Sequence, residues 1–423
     1  MSFRPNHSPL RSPRFIGAGL AAVTALALAG CSANTSADDA GLKKGDPIVI
    51  ASLESPVASG GPDFTSGMLV AADRINAKGG VGGHKIKVQV IPQDGTPDGI
   101  VTAYRSAGKD AKVLGAVLAV AGDEVKPISD QVALPVITSP GTGTVIKPPV
   151  KYVFDTTFSL EYAGSALTYL LDQHPSIKKI AVLHYDLAYS QSVESSVRTN
   201  CKRLGCEVVD VEAASAGAST DQLIPQLTKM RDSGADAYYI EGINPNGWKA
   251  ARQLGLFDKP IIAENWLAVP AIAKACAPDC AGVAFATHKC RYNEDNWASL
   301  NADDPVVKWC REYVADWEKA NPGKEYPVFS VYGYDGVSVI AQAVKQLIDA
   351  DKPITRANIA DQLENLNGEP FTSTGLVKHS SPTNHRLTGD WKEGYVMTQI
   401  KLEPDGSIRY VLADGADPAG ATP

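Results

Sequence analysis

The feature that most constrains the fold is a regular alternation of strand-like and helix-like segments from residue 48 to residue 263. Short apolar or alternating runs are typical of strands, whereas longer runs with apolar residues at helical spacing are typical of helices. The strand-like segments are 48–53, 85–92, 113–120, 134–138, 180–185, 207–211, 237–241 and 260–263. The helix-like segments are 64–78, 101–109, 157–173, 190–204, 222–233 and 246–254. This βα rhythm predicts an α/β fold with doubly wound parallel sheets.

The alternation runs through the chain twice, which predicts two lobes rather than one. The last third has helix-like segments at 305–320, 329–350 and 356–366, then strand-like segments at 371–377, 395–401 and 408–411. We expect these pieces to return to both lobes, so that the crossings between lobes act as a hinge. Lobe 1 is predicted to contain 48–153 and about 290–370, and lobe 2 to contain 154–289 and about 371–411. Residues 412–423 are predicted to be a disordered tail.

The N-terminus has the pattern of an export signal. Arg4, Arg11 and Arg14 precede an apolar run over 15–29, which ends in Leu28-Ala29-Gly30-Cys31. This run is shorter than the roughly 20 apolar residues that a transmembrane helix needs, and 1–30 is interpreted as a signal peptide. The ending resembles a bacterial lipobox, in which Cys31 is acylated and becomes the mature N-terminus; the alternative is ordinary cleavage beside an incidental cysteine. Residues 31–46 suit a flexible tether, and the protein is expected on the outer face of the cell membrane.

Six cysteines remain when Cys31 is set aside, and an even number in an exported protein indicates disulfide bonds. Six cysteines can pair in many ways. The choice with the shortest loops is Cys201–Cys206, Cys276–Cys280 and Cys290–Cys310. The alternative is a zinc site formed by Cys276, Cys280, His288 and Cys290, although that spacing matches none of the usual zinc patterns.

Charge and motifs argue against other classes of protein. The net charge is −7 without basic clusters, which argues against nucleic acid as a partner. Neither Gly-x-Ser-x-Gly nor His-Glu-x-x-His occurs, and Ser106–Lys109 matches Ser-x-x-Lys without an accompanying Lys-Thr-Gly. The glycine run 79–83 joins a helix to a strand, whereas phosphate loops join a strand to a helix. We therefore expect no enzymatic activity, no cofactor and no metal.

Several motifs, in order, resemble one family. They are Ser-Pro-Val-Ala at 55–58, Asn-Ala-Lys-Gly-Gly-Val-Gly-Gly at 76–83, Pro-Ile-Ser-Asp at 127–130, Leu-Pro-Val-Ile-Thr-Ser-Pro at 134–140, and Gly255-Leu256. Together they are similar to branched-chain amino acid binding proteins, over about 48–411. The resemblance implies a type I periplasmic binding protein fold, with two α/β lobes joined by three crossings. It implies a monomeric solute-binding lipoprotein that serves the permease and ATPase of an ABC importer. The alternative is a ligand-binding sensor subunit of a membrane signalling system.

The resemblance also implies site residues on lobe 1. In the family, backbone N–H groups and hydroxyls of this lobe bind the ligand carboxylate. The corresponding residues follow strand ends and are Ala121, Gly122, Ser139, Gly141 and Thr142, with Thr142 at a hydroxyl position of the family.

On lobe 2 the family supplies an acid that pairs with the ligand amine, and Glu264 is at that position. The alternative for Glu264 is a solvated loop acid. Tyr189 matches an aromatic that closes over the ligand, or else it packs the cleft. Trp266 and Tyr332 either line an apolar side-chain pocket or belong to the core, which is common for large aromatics.

Two departures from the family bear on the ligand. Many relatives have serines where this chain has Ala-Gly-Asp-Glu at 121–124, and carboxylates there would repel a ligand carboxylate. Either these carboxylates point away from the ligand, or the ligand is not a plain α-amino acid. Ser-Gly-Gly at 59–61 replaces an early aromatic and leaves room for a bulkier ligand. The sequence therefore predicts a small amino-acid-like or carboxylate ligand without identifying leucine.

Overall fold

Two open sheets organise the chain in the computed structural model, which describes residues 41–54, 63–119, 122–139, 148–157, 161–215, 217–291, 297, 299–366, 368–378 and 380–423. The strands are β1 (Ile48–Glu54), β2 (Ile86–Pro92), β3 (Val113–Ala119), β4 (Val136–Ser139), β5 (Val153–Asp155), β6 (Lys179–Tyr185), β7 (Glu207–Ala214), β8 (Ala237–Ile240), β9 (Ile261–Ala263), β10 (Ala284–His288), β11 (Phe371–Thr372), β12 (Gly375–Leu376), β13 (Tyr395–Leu402) and β14 (Ile408–Leu412).

The helices lie between these strands and in the last third of the chain. They are α1 (Asp63–Ala77), α2 (Pro97–Lys109), α3 (Ser129–Val132), α4 (Glu161–Gln173), α5 (Ala188–Leu204), α6 (Thr220–Asp232), α7 (Pro245–Gln253), α8 (Pro270–Cys276), α9 (Pro305–Ala320), α10 (Ser330–Asp349), α11 (Arg356–Leu363) and α12 (Trp391–Gly394). Within these ranges, no helix combines the length and the apolar character that crossing a bilayer requires.

The first sheet has the order β2-β1-β3-β4-β5, and all its pairs are parallel. Every residue of β3 is buried, because helices cover both faces of the sheet. The helices α1 and α10 pack on one face and α2 packs on the other. This sheet with its helices is lobe 1.

The second sheet has the order β14-β13-β10-β9-β8-β6-β7. Its strands from β10 to β7 are parallel, whereas β13 pairs antiparallel with both β10 and β14. This sheet with its helices is lobe 2. The chain passes between the lobes three times: from β5 to α4, from β10 to α10, and from α11 to β13. The predicted two-lobed α/β fold with three crossings is confirmed.

Several helices begin at a polar cap followed by proline, namely at Thr96, Asn244 and Asp304. A polar side chain accepts a hydrogen bond from a free N–H of the first turn, and proline has no N–H to leave unpaired there. The Thr96 hydroxyl accepts from Gly99 N at 3.1 Å. This cap begins α2 four residues before the predicted 101–109.

A close crossing of α1 and α10 requires glycine at two positions. A Cβ at Gly67 would lie 1.7 Å from the Ser330 carbonyl oxygen, and a Cβ at Gly333 would lie 2.0 Å from the Phe64 carbonyl oxygen. The two backbones are therefore in direct contact, and this crossing fixes α10 against the first sheet.

Three disulfide bonds join Cys201 to Cys206, Cys276 to Cys280 and Cys290 to Cys310. These are the pairs with the shortest loops. The alternative zinc site is not formed, because its three thiols are oxidised. Cys31 lies outside the described residues.

The C-terminal segment, for which the sequence predicts a disordered tail over 412–423, differs in the structure. Leu412 ends β14, and the buried Ala421 donates its N–H to the Tyr395 carbonyl at 2.9 Å. The Lys289 ammonium donates to the Ala419 carbonyl at 3.0 Å. These contacts hold the segment on lobe 2.

Candidate ligand-binding site

Three neighbouring strands of lobe 2 end beside one another and carry the candidate site. The order β9-β8-β6 places their carboxyl ends at one edge, where open α/β sheets bind ligands. Glu241 follows β8 directly, and Glu264 follows β9 directly. Both residues are only 1% exposed. Two acids are therefore buried at the edge where a ligand is expected.

The hydrogen bonds of these acids bring in three aromatic residues. The Tyr189 hydroxyl donates to Glu264 Oε1 at 3.0 Å. Glu241 accepts from Tyr185 N at 3.0 Å and from the Trp266 indole N–H at 3.0 Å. The rings of Tyr189 and Trp266 meet edge to face, with centroids 6.3 Å apart. We call these five residues the acid–aromatic cluster.

The hydrogen bonds within the cluster come from uncharged donors, so they stabilise the carboxylates without neutralising them. Burial raises the pKa of Glu264 well above its usual range, the charge of Glu241 raises it further, and the Tyr189 hydrogen bond opposes the shift. Burial also raises the pKa of Glu241, and its hydrogen bonds and the charge of His184 oppose that shift. Buried carboxyl groups without a cation either keep a proton or attract a positive group.

The lobe 1 residues of the predicted site are described in part. Ser139 ends β4 and is fully buried, with its hydroxyl 3.2 Å from that of Thr156. Gly122 packs closely on Thr138, since a Cβ there would lie 2.3 Å from Thr138 Cγ2. The other three predicted residues, Ala121, Gly141 and Thr142, lie outside the described residues. The role of this lobe in binding a carboxylate therefore stays a prediction.

Tyr332 lies on α10 and is fully buried. Its hydroxyl is 2.7 Å from that of Tyr162 on α4, and its ring lies 5.5 Å from that of His288. Since α10 belongs to lobe 1 and α4 to lobe 2, this hydrogen bond connects the lobes. Trp266, unlike Tyr332, belongs to the acid–aromatic cluster, because its indole N–H donates to Glu241.

The structure brings together Tyr189, Glu264 and Trp266 of the predicted residues. It adds Glu241 and the Tyr185 N–H, which are not among the predicted site residues. The sequence predicts Glu241 only as the end of the strand 237–241. Its position one residue after the last paired residue of β8 matches that of Glu264 after β9. The sequence itself shows only that each acid stands at the C-terminal end of a strand-like run.

Comparison with known proteins gives a family model described as periplasmic binding protein, which matches residues 49–403. The Leu/Ile/Val-binding protein homolog 3 of Brucella melitensis is 25% identical over 209 residues, which cover 49% of this chain and 56% of the relative. The chain thus spans about half the length of that relative. A leucine-, isoleucine-, valine-, threonine- and alanine-binding protein of Pseudomonas aeruginosa is 23% identical over 386 residues, covering 89% of this chain and 96% of the relative.

An extracellular ligand-binding receptor from Rhodopseudomonas palustris HaA2 has the same fold, with a TM-score of 0.71 at 20% identity, covering 87% of this chain and 99% of that chain. The relatives are extracytoplasmic binding proteins rather than enzymes. Because the family model covers most of the chain, including the acid–aromatic cluster and every strand except β14, the chain belongs to the periplasmic binding protein family.

Proposed function

We propose that this protein is the solute-binding component of an ABC importer, which captures a small amino-acid-like or carboxylate ligand between its lobes. The names of its relatives support this ligand class, since two of them bind branched-chain amino acids. The partners in this proposal are the ligand, an ABC permease and its ATPase. The protein acts as a monomer held at the outer face of the membrane by acylated Cys31.

The observation that carries the proposal is the buried carboxylate of Glu264, which accepts a hydrogen bond from Tyr189 and lies at the carboxyl end of β9. A ligand ammonium group would supply the positive charge that this carboxylate lacks. The loops after β3 and β4 of lobe 1 would bind the ligand carboxylate, with Ala121, Gly122, Ser139, Gly141 and Thr142 as proposed contacts.

Closure of the two lobes follows from this division of contacts. Neither lobe alone supplies both an acid for the ammonium and donors for the carboxylate. A ligand that binds only the closed form shifts the equilibrium towards closure by its difference in affinity for the two forms. The three crossings between lobes suit such a hinge motion.

The test is isothermal titration calorimetry with a panel of amino acids and related carboxylates. Glu264→Gln is expected to weaken binding of an amine-bearing ligand by about 2–5 kcal/mol, as loss of one partner of a buried charge pair does. The matched control is Glu207→Gln, which changes an exposed acid of β7 in the same sheet. Wild-type affinity in Glu264→Gln, or no binding by any member of the panel, would contradict the proposal.

A further inference from the structure

The two acids of the acid–aromatic cluster are neighbours across a pair of parallel strands. Strand β8 pairs with β9 up to Ile240 opposite Ala263, and the Glu264 N–H donates to the Ile240 carbonyl at 3.2 Å. The next residues in this register are Glu241 and Glu264. Their side chains therefore leave the sheet side by side, and like charges so placed repel one another.

Within the described residues, the hydrogen-bond donors to this pair are uncharged, and the charged group that favours ionisation is the His184 imidazole, which acts to lower the pKa of Glu241. Glu241 is held by Tyr185 N and the Trp266 indole, and Glu264 by the Tyr189 hydroxyl. A single ligand ammonium would neutralise one of the two carboxylates. The other would still need a proton or a second positive charge, because an uncompensated buried charge is costly.

A buried hydroxyl beside the pair points independently to a ligand. Tyr239 lies on β8 two residues before Glu241, and alternate residues of a strand share one face. Its ring is fully buried, and its hydroxyl has no hydrogen-bond partner among the residues that the structure describes. Burial raises the pKa of this hydroxyl, and the charges of Glu264 and Glu241 raise it further. A buried polar group of this kind needs a partner, and a ligand supplies one.

Lobe 1 adds further acid to the predicted contact loop. Glu124 follows β3 and is partly buried, and one of its carboxyl oxygens has no partner within the described residues. Burial raises the pKa of this carboxyl, and the charge of Asp123 raises it too. The loop expected to meet the ligand thus carries two acids, Asp123 and Glu124.

We propose that Glu241 is a specificity-determining residue which, with Glu264, selects ligands of net positive charge, such as basic amino acids, over amino acids with uncharged side chains. This inference rests on the proposed function, because it names the ligand class of the same site. A basic amino acid carries two positive groups and one carboxylate. It can therefore pair with both glutamates and still present a carboxylate to the backbone donors of lobe 1.

The test uses two matched pairs of probes with the full-length protein. Arginine is compared with citrulline, which has nearly the same shape but an uncharged side chain, and lysine is compared with norleucine. Calorimetry at neutral pH is expected to show that each basic member binds at least about tenfold more tightly than its uncharged counterpart. A tenfold difference corresponds to about 1.4 kcal/mol, which is a modest value for leaving one buried carboxylate without a positive partner. The preference should decline in acid, because the buried pair then takes up protons.

Glu241→Gln is expected to abolish the preference within each pair, because it removes the second carboxylate. Glu207→Gln, the exposed control, should leave it unchanged. Circular dichroism and melting without ligand check that the variant folds, and Glu241→Asp, which keeps the charge, should retain the preference.

The outcomes separate this inference from the proposed function. If citrulline and norleucine bind as tightly as arginine and lysine, the inference is wrong but the proposed function stands. If the preference persists in Glu241→Gln, Glu241 is not its origin and the inference is again wrong. If no amino acid of any kind binds the wild-type protein, the proposed function fails and the inference fails with it.

Discussion

The hydroxyl of Tyr189 donates a hydrogen bond of 3.0 Å to Oε1 of Glu264, and so joins the first turn of α5 to the end of β9. Because Tyr189 belongs to the segment that follows β6, the bond links two strand ends that are separated by β8 in the sheet. It also lowers the pKa of Glu264 against the opposing effect of burial. Tyr189 thus favours the charged form of the acid proposed to bind the ligand.

Tyr189→Phe tests this relationship. Removing a donor to a charged acceptor is expected to weaken binding of an amine-bearing ligand by about 1.5–3 kcal/mol. The pKa of Glu264 should rise as well, so the pH at which affinity is lost moves upwards. Calorimetry over a range of pH measures both effects. The control is Tyr169→Phe, which removes a hydroxyl bound to the Asp414 carbonyl on the same lobe. Equal effects of the two substitutions would contradict the role of Tyr189.

The disulfide between Cys290 and Cys310 joins the segment after β10 to α9, and its cysteines are 20 residues apart. In the chain-entropy model, a bond that closes a longer loop stabilises the folded state more, by about 2–4 kcal/mol in typical cases. Replacing both cysteines by alanine should lower the free energy of unfolding by that amount, as measured by chemical denaturation.

The matched control replaces Cys276 and Cys280, which are only four residues apart. This replacement should lower the free energy of unfolding by less, and an equal or larger loss would contradict the loop-length argument.

Titration of the denatured, unreduced protein with a thiol reagent should find no free thiol. Several free thiols would contradict the three pairs.

The sequence predicted those parts of the fold whose pattern is local. The buried run 113–120 corresponds to β3 (Val113–Ala119), in which every residue is buried. The strand β10 was not predicted, because its five residues are paired with β13 more than a hundred residues later. The tail was predicted to be disordered for a related reason. Its residues are mostly small and polar and show neither helical nor strand periodicity. The segment is ordered by contacts with distant residues, such as the hydrogen bond between Ala421 and Tyr395.

Only those site residues that match positions of the family could be predicted from the sequence. Glu264 and Tyr189 were identified from positions in the family, and the structure brings them within hydrogen-bonding distance. Glu241 was missed because nothing in the linear sequence shows that it lies opposite Glu264. That relationship depends on the register of β8 and β9, which is set by packing of the whole lobe.

Cys31→Ala tests the proposed lipid anchor. If Cys31 is acylated, the variant should leave the membrane fraction or remain uncleaved, because buried acyl chains supply about 0.8 kcal/mol of membrane affinity per methylene. Fractionation with mass spectrometry of the mature N-terminus measures this. Ser32→Ala, at the neighbouring residue, should remain lipid-bound. A membrane-bound mature wild-type protein without lipid would contradict the proposal.

Asp335 of α10 provides a test of how burial affects stability. It is fully buried and accepts hydrogen bonds from Ser373 N at 3.0 Å and from the Ser373 hydroxyl at 2.5 Å. Burial raises the pKa of Asp335 to about 7, although the bonds from Ser373 oppose the shift. An acid whose pKa is higher in the folded state keeps a proton that the unfolded chain has already released. Its contribution to stability is therefore present in acid and is lost as pH rises from the unfolded pKa through about 7.

The wild-type free energy of unfolding should thus carry a contribution from Asp335 that falls by an amount on the order of 4 kcal/mol between acid and mildly alkaline pH. Asp335→Asn keeps the accepting oxygen but cannot ionise, so the variant should lack this part of the pH dependence. Chemical denaturation of both proteins over this range measures the difference, in which the contributions of Glu241, Glu264 and other buried acids cancel. Asp349→Asn, an exposed position of the same helix paired with Lys345, should keep the wild-type slope. An unchanged slope in Asp335→Asn would mean that Asp335 ionises in the folded protein as it does in the unfolded chain.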